Sequence, residues 1–413
     1  MSAPAIAVSP RDRETLRRLA ERVAGLAARP VEEEKRALCT AHNELRPTRP
    51  LVFCDPENGW NEIIGPQDLE CEDGLARGWE YHLRREIFWG ERMRDDRVIL
   101  AEMPVGYVYT ETDWGMSHRQ IGQGGACAYT WDPPLKDYAD MDRLRYPQIT
   151  VDRAATDAIR DLAAETFDGL LSVRVRGAWW WSLGMTGTLV LLRGLEQMHL
   201  DMVDRPDDLH RLMAFLRDGT LARLDWLERE GLLTLNTDAY VGSGGFGWTR
   251  ELPAPDFTGR VRTKDMWGFA ESQETVSVSP RMFAEFVLPY QLPILERFGL
   301  NCYGCCEPLD TRWEHVKTVP RLRRVSVSPW SNLERMAGCL SDRYVFSMKP
   351  NPAALAAPSF DEEAVRAGLR EALRVTSGCR VEMVMKDCHT IGGEPDRVVR
   401  WVRIAREEAE RAF

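Results

Sequence analysis

The chain has 413 residues, 44% hydrophobic and 29% charged, the balance of an ordinary globular protein. Its formal net charge is −10, from 54 basic and 64 acidic residues, and no Lys/Arg-rich run appears, which argues against nucleic acid or an anionic membrane surface as a partner. The longest uncharged run, 177–192, carries Ser182, Thr186, Thr188 and three glycines, and falls short of the roughly 18 apolar residues of a membrane span.

The opening residues Met1-Ser2-Ala3-Pro4 show no basic region followed by an apolar core, so no secretory leader is expected. Ten cysteines without such a leader read as thiols or metal ligands rather than as a disulfide framework, and the expected location is cytoplasmic. The length suits one large α/β barrel with additions, or two domains.

In chain order, Ser9-Pro10-Arg11-Asp12 is a helix start, with a Ser cap, Pro at the first helical position and an acid following. Leu16, Leu19, Val23 and Leu26 then fall on one helical face. Residues 55–73 are polar and turn-rich, and 79–94 read as helix again. Residues 1–95 are therefore expected to be a mostly helical extension, packed on the main fold or available to a second copy in a homodimer.

From there strand-like and helix-like segments alternate, the pattern of a parallel sheet. The expected strands are 98–105, 173–179, 233–239, 265–270, 300–304, 323–328, 344–348 and 379–385. Expected helices include 153–171, 206–230, 280–298, 361–376 and 395–413. Eight strands with helices between them is the count of a (β/α)8 TIM barrel spanning 96–413. Residues 106–149, with Gly122-Gln123-Gly124-Gly125, Trp131 and Pro133-Pro134, exceed one βα unit and are expected as an insertion or small ribbon. The stretch Gly242-Ser243-Gly244-Gly245-Phe246-Gly247 lacks a phosphate-loop or dinucleotide pattern and reads as a flexible loop closing over the site.

In a barrel the strand ends face one another. They bring to one mouth Glu102 and Met103, Trp179 to Trp181, Asp238 and Tyr240, Glu271 and Gln273, Cys305 to Glu307, Ser328 and Trp330, Lys349 and Asn351, and Cys388 with His389. Such a ring of acids, thiols and aromatics is what a small-molecule site presents. Glu271, Asp238 and Lys349 are the candidate catalytic groups. Trp179, Trp181, Tyr240, Gln273, Tyr303 and Trp330 are the candidate substrate contacts.

The run Cys302-Tyr303-Gly304-Cys305-Cys306-Glu307 and the late cluster Lys386-Asp387-Cys388-His389 suggest a zinc site of Cys305, Cys306, Cys388 and either Glu307 or His389. Two alternatives stand beside it: buried packing thiols, and a vicinal Cys305–Cys306 disulfide.

Several motifs together resemble the uroporphyrinogen decarboxylase superfamily over about three quarters of the chain. They are Leu192-Arg193-Gly194-Leu195-Glu196 with Asp204-Arg205-Pro206-Asp207-Asp208-Leu209, and Val278-Ser279-Pro280-Arg281-Met282-Phe283 with Pro289-Tyr290. The thiol cluster follows, and then Cys388 ahead of Gly392-Gly393-Glu394-Pro395. The resemblance implies a (β/α)8 barrel. The arginine-rich Met-Arg-Gln-Ala-Gly-Arg segment of true decarboxylases is missing, so the chain is more similar to the corrinoid-linked methyltransferase branch. That branch holds zinc through His-x-Cys and a late Cys; here Tyr303 stands at the His position, Cys305 at the first Cys and Cys388 at the late one.

The resemblance implies zinc as Lewis acid and a methyl group passing between a small substrate and a corrinoid carried by a partner protein. The small substrate would be a methoxylated aromatic or a thiol. Two other readings use the same barrel: metal-free decarboxylase or lyase chemistry, and non-catalytic binding of a small ligand.

Overall fold

The computed structural model describes residues 7–122 and 129–413, so Gln123, Gly124 and Gly125 of the glycine-rich stretch lie outside the described residues. Twelve strands occur among the described residues: β1 Leu51–Cys54, β2 Glu102–Gly106, β3 Tyr109–Glu111, β4 Arg119–Gly122, β5 Tyr129–Asp132, β6 Ile149–Val151, β7 Ser172–Arg176, β8 Trp267–Ala270, β9 Leu300–Tyr303, β10 Leu322–Val327, β11 Val345–Met348 and β12 Arg380–Met385. Six of them form a parallel sheet in the order β1-β12-β11-β10-β9-β8. β2 and β7 form a separate parallel pair, while β3–β6 and β4–β5 are short antiparallel ribbons in the insertion expected between residues 106 and 149.

The fold is thus mixed α/β with a six-stranded parallel sheet. It is compatible with a TIM-barrel-like arrangement, but hydrogen bonds do not close a barrel: they join the eight parallel strands as six and two. The count of eight also arises differently from expectation. Residues 233–239 form no strand, and their place beside β8 is taken by a side chain: the Asn236 amide donates to Trp267 O at 2.9 Å and accepts from Trp267 N at 3.0 Å. The additional strand is β1, inside the stretch expected to be helical, paired with β12 from Leu51↔Glu382 to Cys54↔Met385. Its free edge is closed by a turn: Asp96 N–H donates to Val52 O, and the Asp96 and Asp95 carboxylates accept from the Val52 and Cys54 N–H groups at 2.8 and 2.9 Å. Four residues give too short a run for an alternation signal to reveal.

The helices follow the sequence closely. Ser9 caps Pro10–Ala27 by accepting from Asp12 N at 3.1 Å, and Arg153–Phe167, Pro206–Arg229, Glu362–Val375 and Asp396–Arg411 stand where expected. The expected helix 280–298 is broken at Val287 into Pro280–Phe286 and Leu288–Leu295; Pro289 and Pro293 each lack the N–H that a continuous helix needs.

Alternation on the strands sorts two buried faces. Val381, Met383 and Met385 of β12, and Val325 and Val327 of β10, belong to the main apolar core. The alternate residues Arg324, Ser326, Glu382 and Lys386 are buried too, and they contact the loop 241–247. That loop does not close over a site. Val241, Ser243 and Phe246 are buried, Gly245 N donates to Glu382 Oε1 at 2.8 Å, Ser243 Oγ donates to Gly304 O at 2.9 Å, and Phe246 packs on Phe53. Glycine is needed because the loop is a plug. A Cβ on Gly242, whose φ is +56°, would stand 2.1 Å from Phe269 Cγ. Gly242→Ala is therefore expected to lose about 1–3 kcal/mol of stability, measured by urea unfolding. An unchanged midpoint would show that the loop can lift away.

Candidate active site

The sequence-expected residues gather at the β8 and β9 ends, with others around an aromatic pocket beside them. Cys305 is buried and Cys306 exposed, and their sulfurs are 3.6 Å apart. The tight turn after β9 passes through Gly304 at φ +94° and is pinned by Glu307, whose buried carboxylate accepts from Ser272 N at 2.8 Å, Ser272 Oγ at 3.2 Å and Cys305 N at 2.9 Å. The two thiols differ. The hydrogen bond between them raises Cys305 and lowers Cys306; burial and the charge of Glu307 add to the rise at Cys305, while nearby Lys349 favours the Cys306 thiolate. A thiolate is the nucleophilic form of cysteine. Cys306 is therefore expected to react first with iodoacetamide, and Cys305 much later, as read by peptide mass mapping; simultaneous labelling would contradict this asymmetry.

Glu271 ends β8, buried, accepting from Ser182 Oγ at 3.0 Å and from Gln273 N at 2.9 Å. Burial first, then the neighbouring carboxylates Glu274 and Glu307, push its pKa up to about 8. Lys349 is buried after β11 and donates to Ser347 Oγ at 2.9 Å; burial pulls it down to about 8 against the opposing charge of Glu382. Both groups thus sit near neutrality, the range in which proton transfer is most effective.

Asp238 has a different place. Arg174 and Arg176 hold it at 2.7 to 2.8 Å, and both also reach Glu102. Burial raises its pKa, but the Arg176 hydrogen bonds and charge outweigh this and leave it below the ordinary value. Its lone pairs are committed to a structural network. Arg174 and Arg176, alternating on a strand that is half-buried, were the signal that a carboxylate partner had to exist.

A cavity of about 300 Å³ opens beside the β8 end, lined by Trp179, Trp180, Trp181, Asn236, Tyr240 and Phe269. Trp179 is buried, with its indole N–H on Leu232 O at 3.0 Å, whereas Trp181 is 53% exposed and meets Phe269 edge-on at 5.3 Å. Phe269 and Val241, both on this wall, share a buried cluster with Cys302 and Cys305, so the pocket adjoins the thiols. Ser182, next to Trp181 in sequence, donates to Glu271, although neither Ser182 nor Glu271 lines the cavity. Three expected contacts are elsewhere, Gln273, Tyr303 and Trp330. Gln273 lies past Glu271 and lines no part of this pocket. Tyr303 is fully buried beneath the helix Leu288–Leu295, with its hydroxyl on Gln291 Oε1 at 2.7 Å. Trp330 is 72% exposed and lines no part of this pocket.

The zinc set can be tested on these positions. Both Glu307 oxygens are already taken by backbone and Ser272 donors. The Cys388 thiol is buried against Lys386 O at 3.6 Å; burial, then Glu57, Asp387 and Asp55, push its pKa up to about 12 and disfavour a thiolate. His389 is exposed. Among the described residues no three His, Cys, Asp or Glu side chains are arranged to hold a metal ion. The two clusters approach one another around Asp387, whose charge acts on Cys305, Cys306 and Cys388 alike, but their donors as placed do not fit a zinc ion.

No family model matches the chain, and no curated protein sequence does. Among solved structures, a methyltransferase from Methanosarcina mazei aligns with it at 12% sequence identity and a TM-score of 0.48, over 90% of this chain and 97% of that one. No helix among the described residues is long and apolar enough to cross a membrane.

Proposed function

We propose that this chain is a transferase that moves a methyl group between a small substrate, held in the tryptophan-lined pocket, and a corrinoid carried by a partner protein, with Glu271 as proton donor. Supporting methyl transfer is the resemblance of the sequence motifs to the uroporphyrinogen decarboxylase superfamily, with Cys305 and Cys388 at the two Cys positions of its corrinoid-linked branch and Tyr303 in place of the His. The observation that carries the chemistry is a buried carboxyl, protonated at neutral pH, that is hydrogen-bonded to Ser182, the neighbour of pocket-lining Trp181.

The corrinoid, when its carrier docks, supplies the methyl acceptor. At the substrate, the bond between heteroatom and methyl breaks and the heteroatom keeps the electron pair. It takes a proton that starts on Glu271, relayed by the Ser182 hydroxyl once that hydroxyl turns from the carboxyl to the substrate. The indoles of Trp179, Trp180 and Trp181 line the pocket and orient an apolar or aromatic donor. A proton from Glu271 here fills the part otherwise given to a Lewis acid.

The test is to mix the purified chain with reduced cobalamin and a panel of methyl thioethers and methoxylated aromatics, following methylation of the corrinoid by absorbance. Transfer from at least one donor is expected. Failure with every donor overturns the reading.

A second reading is favoured by one observation: Glu271 and Lys349 both titrate near 8. Such a pair suits decarboxylation or lyase chemistry without metal. Carbon dioxide release from carboxylic substrates, indifferent to corrinoid and chelator, would select it.

A further inference from the structure

A second cavity, of about 250 Å³, lies between β1, β2 and the helix Gly74–Phe88, separated from the tryptophan pocket by Arg176 and Tyr240, which line both. Most of its charged groups satisfy one another. Arg97 is paired with Glu86 at 2.7 and 2.5 Å, and Arg176 with Asp238 and Glu102. Arg85 is the exception. Its guanidinium is boxed by Trp60, Trp89 and Tyr81 at 4.9, 4.9 and 5.8 Å, its Nε is buried without a partner, and its nearest carboxylate, Asp55, is 3.8 Å away and already accepts from Trp60 Nε1 at 2.8 Å.

Two further buried polar atoms on the same wall lack partners, the Tyr240 hydroxyl and His82 Nε2. An unpartnered buried polar group is costly, and several on one cavity wall offer a ready set of hydrogen-bond partners to a ligand. The aromatic packing holds the Arg85 fork in place, which prepares it for a planar two-oxygen acceptor.

We propose that this cavity binds a small ring-bearing monocarboxylate, its carboxylate on Arg85 and Tyr240 and its ring against Trp89 and Phe246. The lining also carries Asp55, Glu86, Glu102 and Asp238 against Arg85, Arg97 and Arg176, so a dianion such as phosphate is repelled, and a monocarboxylate binds by taking Arg85 from its long 3.8 Å pairing with Asp55. The proposal does not rest on the methyl-transfer reading: the cavity shares the wall of Arg176, Ala239 and Tyr240 with the tryptophan pocket, but none of Glu271, Cys305 and Cys306 lines it.

The test is calorimetric titration of the full chain with benzoate, with benzyl alcohol and inorganic phosphate as comparators. Benzoate is expected to bind and both comparators to fail. Arg85→Gln is expected to weaken benzoate at least about tenfold, as loss of a charge-assisted hydrogen-bonding fork implies. Tyr240→Phe, which removes one hydroxyl and leaves the packing, is expected to weaken it by about threefold to tenfold. Absence of benzoate binding to the native chain, equal affinity for benzyl alcohol, or undiminished affinity in Tyr240→Phe and a folded Arg85→Gln would overturn the proposal.

Discussion

Glu382→Ala is expected to cost about 3–5 kcal/mol of folding stability, the range for stranding one member of a buried ion pair. Glu382 and Arg324 are fully buried, with Arg324 Nε 3.0 Å from Glu382 Oε1. The guanidinium also donates to Gly245 O and Phe246 O at 3.0 Å and to Asn43 Oδ1 at 2.7 Å. Those carbonyls and that amide orient Arg324 but do not neutralise it. Without Glu382 the charge would remain in the interior, and Gly245 N would lose its acceptor. Against a usual total of about 5–15 kcal/mol, the loss is a large fraction.

Urea unfolding measures it, and the double variant Arg324→Met with Glu382→Leu separates the causes. If the stranded charge dominates, the double variant recovers most of the loss; if it is as unstable as the single variant, the contacts of the loop 241–247 matter more. The pH dependence has a definite sign. Burial raises Glu382, but Arg324, His42 and Lys349 outweigh it and hold its pKa below the ordinary carboxylate value. Its contribution is therefore present above about pH 4.5 and is lost as pH falls through the lowered value.

The second large effect is kinetic. Glu271→Gln is expected to lower methyl transfer by about 10²–10⁴-fold, the usual contribution of a positioned general acid. In the native chain the rate should fall as pH rises through about 8, where Glu271 gives up its proton. That limb should vanish in Glu271→Gln and persist in Lys349→Met, which separates the two groups that titrate in the same range.

Stability supplies a second readout with the opposite sign. A carboxyl whose folded pKa is raised stabilises the fold fully below its unfolded value and loses that contribution as pH rises toward about 8. At pH above 8 the uncharged glutamine should thus be no less stable than the native chain, though almost inactive. A variant that is inactive because it is unstable would mark Glu271 as structural.

The helices and most of the parallel strands were legible because their signals are local. A Ser cap with Pro behind it, apolar residues at three- and four-residue spacing, and alternation on β10 and β12 each act within a few residues. β1 was not legible, since four residues become a strand only when β12 supplies the partner. Residues 233–239 fail for the converse reason: alternating Leu233, Thr234, Leu235 and Thr237 have the look of a strand, but the Asn236 side chain takes over the backbone bonds of Trp267.

The candidate site divides in the same way. Cys305, Cys306 and Glu271 were visible as residue types at strand ends, and composition was enough to mark them as chemistry-bearing. Which thiol is exposed, which carboxylate is committed and which stays protonated depend on what faces them. Glu307 accepts from Ser272, Asp238 is held by two arginines from β7, and Glu271 faces Ser182 and Glu307, all contacts between segments distant in sequence. By itself the amino-acid order determined the alternating α/β character and the kinds of reactive group available, because these rest on propensity and side-chain chemistry. Only the tertiary structure decided their protonation and partners, because desolvation and charge proximity belong to the packed interior.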